Sequence, residues 1–415
     1  MQLTTLALLA GVLPTSWAYA VRRQTTTTTP LPPSQDPWYQ APADYANYKP
    51  GTVFKVRSAS GLTATSSSIG AAYNILYATT DSRNLSSWAV TTLLLPTGWN
   101  DTCRDKVLSY GIPYDSADVD ASPSYALYSG GGAFGNGEIL TALGRGWAVS
   151  TADYEGPNGS FTAGVQSGHA TLDSLRAIFN YEDFEIYEPQ TTYALWGYSG
   201  GALASEWAAE LQGNYAPELQ YAGAALGGLT PNVSSVLYTI NGGIYAGLAP
   251  SGILGLSSQW PDLNTFVQGQ LFQTGEYNAT RFNSAKNLTL IGTIGAFANQ
   301  DLALYFQDGL NALDAPISQY VINQDGIMGN HGVPEMPLFV YKAIGDDISV
   351  VGDTDKLINE YCAAGATIDY QRNTVGNHAS ELNNGRARAL AFLDQVFAGT
   401  YQASGCQISN VTVSA

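Results

Sequence analysis

The chain has little of what metal, redox and nucleic-acid sites are built from. It contains three cysteines and three histidines, His169, His331 and His378. The cysteines show no CxxC spacing for zinc and are too few for a disulfide scaffold. So few histidines argue against a His-rich metal site and leave three candidates for any catalytic imidazole. Basic residues are also scarce: 17 Lys and Arg face 34 Asp and Glu, a formal charge of −17 that repels phosphate and argues against a nucleic-acid groove. Beyond the N-terminus no apolar run reaches the ~20 residues of a transmembrane helix. Against these shortages, 45% of residues are hydrophobic, with 26 Tyr and 8 Trp, far too much buryable surface for a disordered chain. The 415 residues allow two or three domains, although α/β enzymes often spend over ~250 on one.

The first twenty residues, MQLTTLALLAGVLPTSWAYA, have an apolar core from Leu6 to Pro14 and end in Ala18-Tyr19-Ala20. This is the pattern of a signal peptide over 1–20, although its leading segment lacks Lys or Arg. Arg22-Arg23 is a candidate second processing site. The threonines and prolines of QTTTTTPLPPSQDP, ending at Pro37, are expected to form an extended lead-in over 21–37 that cannot pack a core. Seven Asn-x-Ser/Thr sequons, at Asn84, Asn100, Asn158, Asn232, Asn278, Asn287 and Asn410, agree with a secreted, extracellular glycoprotein. In an oxidising environment two of the cysteines are expected to pair. Cys362 and Cys406 share the C-terminal region and are the expected pair, with Cys103 as the odd thiol.

From Tyr48 onward, β-branched and aromatic runs alternate with amphipathic stretches. Strands are expected at Ala71–Thr79, Ser87–Leu95, Lys106–Ile112, Gly146–Ala152, Thr192–Trp196, Tyr221–Leu226, Leu338–Ala343 and Thr367–Arg372. Helices are expected at Gly137–Leu143, Ala170–Asn180, Ala202–Leu211, Thr354–Ala364 and Ser380–Phe397. The order implies an α/β fold whose mostly parallel sheet carries helices on both faces. Residues 231–337 break the rhythm, with helical patterns at Leu263–Phe272 and Asp301–Leu313. So long a structureless loop is not credible, so the segment is read as an inserted, mainly helical subdomain between core segments 38–230 and 338–415.

Gly197-Tyr198-Ser199-Gly200-Gly201 follows a strand pattern and precedes a helical one. In that context Gly-x-Ser-x-Gly is a nucleophile elbow, where a tight turn lifts the Ser199 hydroxyl to a helix N-terminus. Triad partners then follow in the order Ser, acid, His. That order excludes His169, while His331 falls near the end of the insert and is expected at the surface or a domain junction. His378 lies between a strand and a long helix, where the base belongs. The acid belongs after the preceding strand, where Asp346 is favoured and Asp347, one residue of register away, is the alternative. A competing GxGxxG at Gly130–Gly135, with Asp153 beyond it, has dinucleotide spacing. Its preceding SPSYALY is a poor buried strand, so it is read as a flexible active-site loop.

GYSGG, the late Asp-Asp and the Asn-His together resemble the fungal secretory lipases, the family of Candida antarctica lipase A. ADYEGPNGSFTAGVQSGHATLDSLRAIFNY, YALWGYSGGALASEWAAEL, INGGIYAG, AIGDDISVV, EYCAAGATIDY and GNHASE carry the resemblance. It implies an α/β-hydrolase with a large helical cap and a triad of Ser199, Asp346 and His378. It implies oxyanion donors at the N–H groups of Gly200 and Asp115, and a disulfide between Cys362 and Cys406. The family's second disulfide has no partner here for Cys103. The expected chemistry is carboxylic ester hydrolysis through an acyl-enzyme, needing no metal or cofactor. The expected partner is a small-molecule or lipid ester, met by a monomer with a lipid–water interface as one setting. Rival readings are a deacetylase of secondary metabolites, an acyltransferase, a serine peptidase and a binding protein on the same fold.

Overall fold

The computed structural model describes residues 30–100, 105–129, 136–402 and 405–415. The expected signal segment, Arg22-Arg23, Cys103 and the Gly130–Gly135 run lie outside the described residues. Among those described, one sheet of ten strands forms the centre. The strands are β1 (Val53–Ser58), β2 (Ile69–Thr80), β3 (Ser86–Pro96), β4 (Lys106–Gly111), β5 (Ala148–Ala152), β6 (Thr192–Tyr198), β7 (Ala224–Gly227), β8 (Leu338–Ala343), β9 (Ile368–Asn373) and β10 (Cys406–Val411). Their order across the sheet is β1-β2-β3-β5-β4-β6-β7-β8-β9-β10. Pairing is antiparallel up to β3–β5 and parallel from β5–β4 to β9–β10. This is the α/β-hydrolase arrangement.

The central strands are buried on both faces, which is why they read as continuous apolar runs; β8, LFVYKA, is buried at every position. The covering helices include α1 (Asn136–Gly144), α2 (Gly164–Phe179), α3 (Gly200–Tyr215), α9 (Val351–Ala363) and α10 (His378–Phe397). Helix α2 begins six residues before the sequence pattern, because its first turn, GVQSGH, is polar and glycine-rich yet buried. Two strands had no sequence signal. Strand β1 carries Lys55 and Arg57, and edge strand β10 is largely exposed and lacks apolar alternation. Strand β10 is secured by parallel pairing to β9 and by the Cys362–Cys406 disulfide to α9.

The lead-in is not wholly extended. Ser34 donates through its backbone N and Oγ to Asp120, each at 2.7 Å, and Asp36 pairs with Arg57. Arg57 is buried, with its guanidinium 4.1 Å from the centre of the Trp38 ring. A buried cation needs a counter-charge, and the Pro-rich segment supplies it.

Between β7 and β8 lie α4 (Val233–Ile240), α5 (Leu248–Gln259), α6 (Pro261–Gln270), α7 (Leu290–Phe297) and α8 (Pro316–Asp325). The pattern at Asp301–Leu313 forms two 3₁₀ turns, Leu302–Tyr305 and Gly309–Asp314, rather than an α-helix. These elements share an apolar core around Leu254, Phe282, Phe297, Tyr305 and Val321, which Phe161 and Ala163 enter from the body. Asp325 closes the segment onto the body, accepting from Val165 N at 2.8 Å and from Trp260 Nε1 at 2.9 Å.

Candidate active site

Strand β6 ends at Tyr198, and Ser199 turns the chain into α3 with φ 53° and ψ −123°. That positive φ strains any residue but glycine, and it aims the Ser199 hydroxyl away from the sheet. The turn closes only because its flanks lack side chains. A Cβ on Gly197 would lie 2.1 Å from Gly201 O, and one on Gly201 would lie 2.0 Å from Gly111 O. Ser199 N donates to Gly227 O at 2.9 Å, tying the elbow to β7.

His378 opens α10, where Asn377 and Ser380 form a reciprocal capping box. Its Nε2 is 2.8 Å from Ser199 Oγ, and its Nδ1 is 2.8 Å from Asp346 Oδ2. Asp346 Oδ1 accepts from Ile348 N at 3.0 Å and Ser349 N at 2.8 Å. Oδ2 also receives Lys342 Nζ at 3.0 Å. Burial alone would raise the Asp346 carboxyl. The His378 hydrogen bond and charge, Lys342 and the Ser349 N–H outweigh it and hold the group well below the usual carboxylate range. Asp347 is exposed and does different work: its Oδ1 accepts from His378 N at 3.2 Å, and its Oδ2 accepts from Asn377 Nδ2 at 3.3 Å. The adjacent acids therefore divide between the imidazole and the backbone that carries it. Tyr198 OH donates to His378 O.

Asp115, also at positive φ (43°), lines the same cavity as Ser199 and Gly200. A Cβ on Gly200 would fall 1.9 Å from Asp115 Oδ1, so only glycine fits there. Asp115 Oδ1 is buried without a hydrogen-bond partner, and burial pushes its carboxyl up to about 7. Gly200 N belongs to the first turn of α3, whose N–H groups have no intrahelical acceptor and favour negative charge.

The remaining candidates lie elsewhere. His169 stacks on Tyr215 at 3.8 Å, and burial pushes it down to about 4. His331 is half-buried near the end of the insert; its N donates to Glu210 Oε1, and its ring lies 5.0 Å from that of Trp207. Asp153, of the dinucleotide spacing, is buried and accepts from Ser124 N and Oγ. Sequence reasoning missed Lys342, Glu155 and the anchoring role of Asp347. A lysine inside a strand pattern reads as an edge or surface residue, so nothing local marked Lys342. Glu155 is fully buried beside the Asp115 loop, receiving Ser116 N at 3.4 Å, and burial followed by the Asp115 charge raises its carboxyl well above the usual range.

From Ser199 the cavity runs between α4 and α5, walled by Val236, Leu237, Ile240 and Leu248. A second apolar cavity around Leu263, Phe266 and Phe306 shares Leu237, Ile253, Leu256, Leu313 and Ile322 with the first. Those five side chains line both. The walls are mostly apolar and can hold an alkyl group.

Comparison with known proteins points to one family. The secretory lipase family matches residues 136–405. A trichothecene C-3 esterase from Fusarium sporotrichioides is 45% identical over 402 residues, spanning 94% of this chain and 90% of that protein. Lipase A of Arthroderma benhamiae is 34% identical over 398 residues, spanning 92% of this chain and 83% of that protein. The crystal structure of Candida antarctica lipase A in its closed state superposes with a TM-score of 0.83 at 26% identity, covering 93% of this chain and 91% of that one. With an α/β-hydrolase sheet, a serine at its elbow and relatives that are lipases and esterases, the chain belongs to the secretory lipase family of carboxylic ester hydrolases.

Proposed function

We propose that Ser199, His378 and Asp346 form the triad of a secreted ester hydrolase working through an acyl-enzyme. The observation that carries this is the unbroken hydrogen-bond chain from Asp346 Oδ2 through both imidazole nitrogens to Ser199 Oγ, 2.8 Å at each link. His378 Nε2 takes the Ser199 proton as Oγ attacks the ester carbonyl. Asp346 holds the Nδ1–H tautomer and stabilises the imidazolium. The N–H groups of Gly200 and Asp115 receive the oxyanion, each contributing on the order of 3 kcal/mol. His378 then protonates the leaving alcohol, and water repeats the sequence to release the acid. Ser199→Ala should abolish turnover of an aryl ester and labelling by a fluorophosphonate; a variant that kept most of its turnover would refute the assignment.

For the substrate, the apolar cavities behind Ser199 favour an ester with a medium or long acyl chain, seated among Leu237, Leu256 and Ile322. A second reading draws on the relative named a trichothecene C-3 esterase: a small acyl group is removed and the apolar walls take a bulky alcohol. Rates on p-nitrophenyl esters from acetate to palmitate separate the two. A maximum at medium or long chains supports the first reading, and activity on acetate alone supports the second.

Residues 1–20 act as the signal peptide in this reading, and 231–337 as the cap over the site of a monomeric enzyme. Asn84, Asn100, Asn158, Asn287 and Asn410 are exposed and are the favoured glycan sites. Asn232 and Asn278 cap helices with their side-chain oxygens and are half-buried, which disfavours them as acceptors.

A further inference from the structure

Lys342 is the penultimate residue of the wholly buried strand β8, and its side chain has no exposed area. An ammonium taken out of water costs several kcal/mol unless it is paired. Its acceptors are Asp346 Oδ2 at 3.0 Å and Leu229 O at 2.7 Å. Neither needs it for satisfaction. Leu229 O also receives Ser349 Oγ at 3.0 Å, and the Asp346 carboxylate already has His378 and two backbone N–H donors. What the lysine alone adds is a positive charge, delivered to the same oxygen that His378 Nδ1 uses.

We propose that Lys342 is a positioning residue of the triad: it pins the Asp346 carboxylate and offsets its charge, so that the acid limb of turnover lies at lower pH than an unaided Asp–His pair would set. The inference rests on the triad reading above and deepens it. With both nitrogens on Oδ2, at 2.8 and 3.0 Å, the ammonium and the imidazole are less than about 6 Å apart. At that separation the ammonium opposes the development of a second positive charge on the imidazole through space. The other groups facing this pair are Asp347 beside Asp346, Tyr198 of β6, Tyr370 of β9 and Tyr245 of the insert, with Glu381 on the helix of His378 acting on Tyr198. Asp353 and Asp355 of α9 act on Lys342 from further out. Burial lowers the Lys342 ammonium, and these acids, Asp346 foremost, offset that only in part.

The test is kcat/KM on p-nitrophenyl butyrate from pH 4 to 8 for the full chain, Lys342→Met and Lys342→Gln. Both substitutions remove the charge, and glutamine keeps a donor for the two acceptors. The acid limb should move up by about one pH unit in each, the size expected for one unit charge at this distance in a partly screened site. A limb within about 0.3 unit of the parent, whatever the plateau, overturns the proposal. So does failure of both neutral variants to fold, since the hydrogen bonds of the lysine are replaceable. Ser199→Ala, run alongside, separates the two readings. Activity surviving in Ser199→Ala fails the triad itself, whereas an inactive Ser199→Ala with an unmoved limb fails only the role of Lys342.

Discussion

Lowering the pH from 7 to 4.5 should stabilise this protein, and the size of the effect follows from its buried titratable groups. Asp115 and Asp153 are each pushed up to about 7 and Asp173 to about 6, by burial in every case. Hydrogen bonds from Ser124, for Asp153, and from Thr79, Arg176 and Tyr215, for Asp173, only partly offset it. Between roughly pH 4.5 and 6 the folded chain holds protons on these three carboxyls that the unfolded chain has released. An acid raised on folding contributes stability that is whole below its unfolded pKa and is lost as pH rises through its folded one. His169, pushed down to about 4, opposes one of them, because the unfolded chain binds a proton there that the folded chain does not. These four groups alone give a net excess of about two protons in the folded state, so unfolding free energy falls by at least about 2.7 kcal/mol per pH unit, and Glu155 and Glu206, raised further by burial, add to it. In a chain of this size that is about 3 °C of melting temperature per unit.

Thermal unfolding at constant ionic strength, in half-unit steps from pH 4.5 to 7, measures the slope. Self-repulsion of the acidic chain acts in the same direction, so the decisive comparison is Asp115→Asn. Asparagine tolerates the positive φ of this position, and the variant should lose about one proton of slope, or about 1.4 kcal/mol per unit. A melting temperature that is flat or rises toward pH 7, or an Asp115→Asn slope equal to the parent, would refute the reasoning.

Asp346→Asn should lower kcat on an aryl ester by on the order of 10⁴-fold, since the tautomer of His378 is then no longer held, and should also lower the melting temperature, because the buried Lys342 ammonium loses its counter-charge. Asp347→Asn, which perturbs only the backbone anchor of His378, should cost no more than about tenfold. Ile322→Trp places bulk where the two cavities meet, and kcat/KM for the palmitate ester should fall at least about tenfold while that for acetate stays within about threefold. Equal losses on both esters would place the acyl group elsewhere. The Cys362–Cys406 disulfide closes a loop across 44 residues, so replacing both with serine should cost about 4 kcal/mol in urea unfolding while activity at 25 °C persists.

The parts of the fold that could be read from the chain are those whose cause is local. Strands β4, β6 and β8 announce themselves because burial on both faces demands apolar runs. The elbow is legible because a strained serine requires glycines on either side. Strand β10 could not be read, since its place depends on a neighbour in space and a disulfide rather than on its own exposed side chains. The docking of Pro32–Asp36 was hidden for a similar reason: the attraction comes from Arg57 and Asp120, distant in sequence. Within the insert, helical periodicity was visible but the 3₁₀ turns were not, because tertiary packing around Tyr305 sets them.

At the site itself, sequence alone determined the residue types, their order along the chain and hence the class of chemistry. Ser199, Asp346 and His378 each sit at the end of a recognisable element, and chain order together with the place of His331 in the insert left His378 as the expected base. Which of two adjacent aspartates meets the imidazole was decided only in three dimensions. A one-residue step after β8 exchanges a buried carboxylate facing His378 Nδ1 for an exposed one facing its backbone N–H. The tertiary structure also decided that Lys342 stands behind Asp346, that Asp115 lines the cavity of Ser199 as a buried carboxyl, and that Glu155 is buried beside the Asp115 loop. The physical reason is that charge acts through space and burial, and neither distance nor desolvation is written in the spacing of residues along a chain.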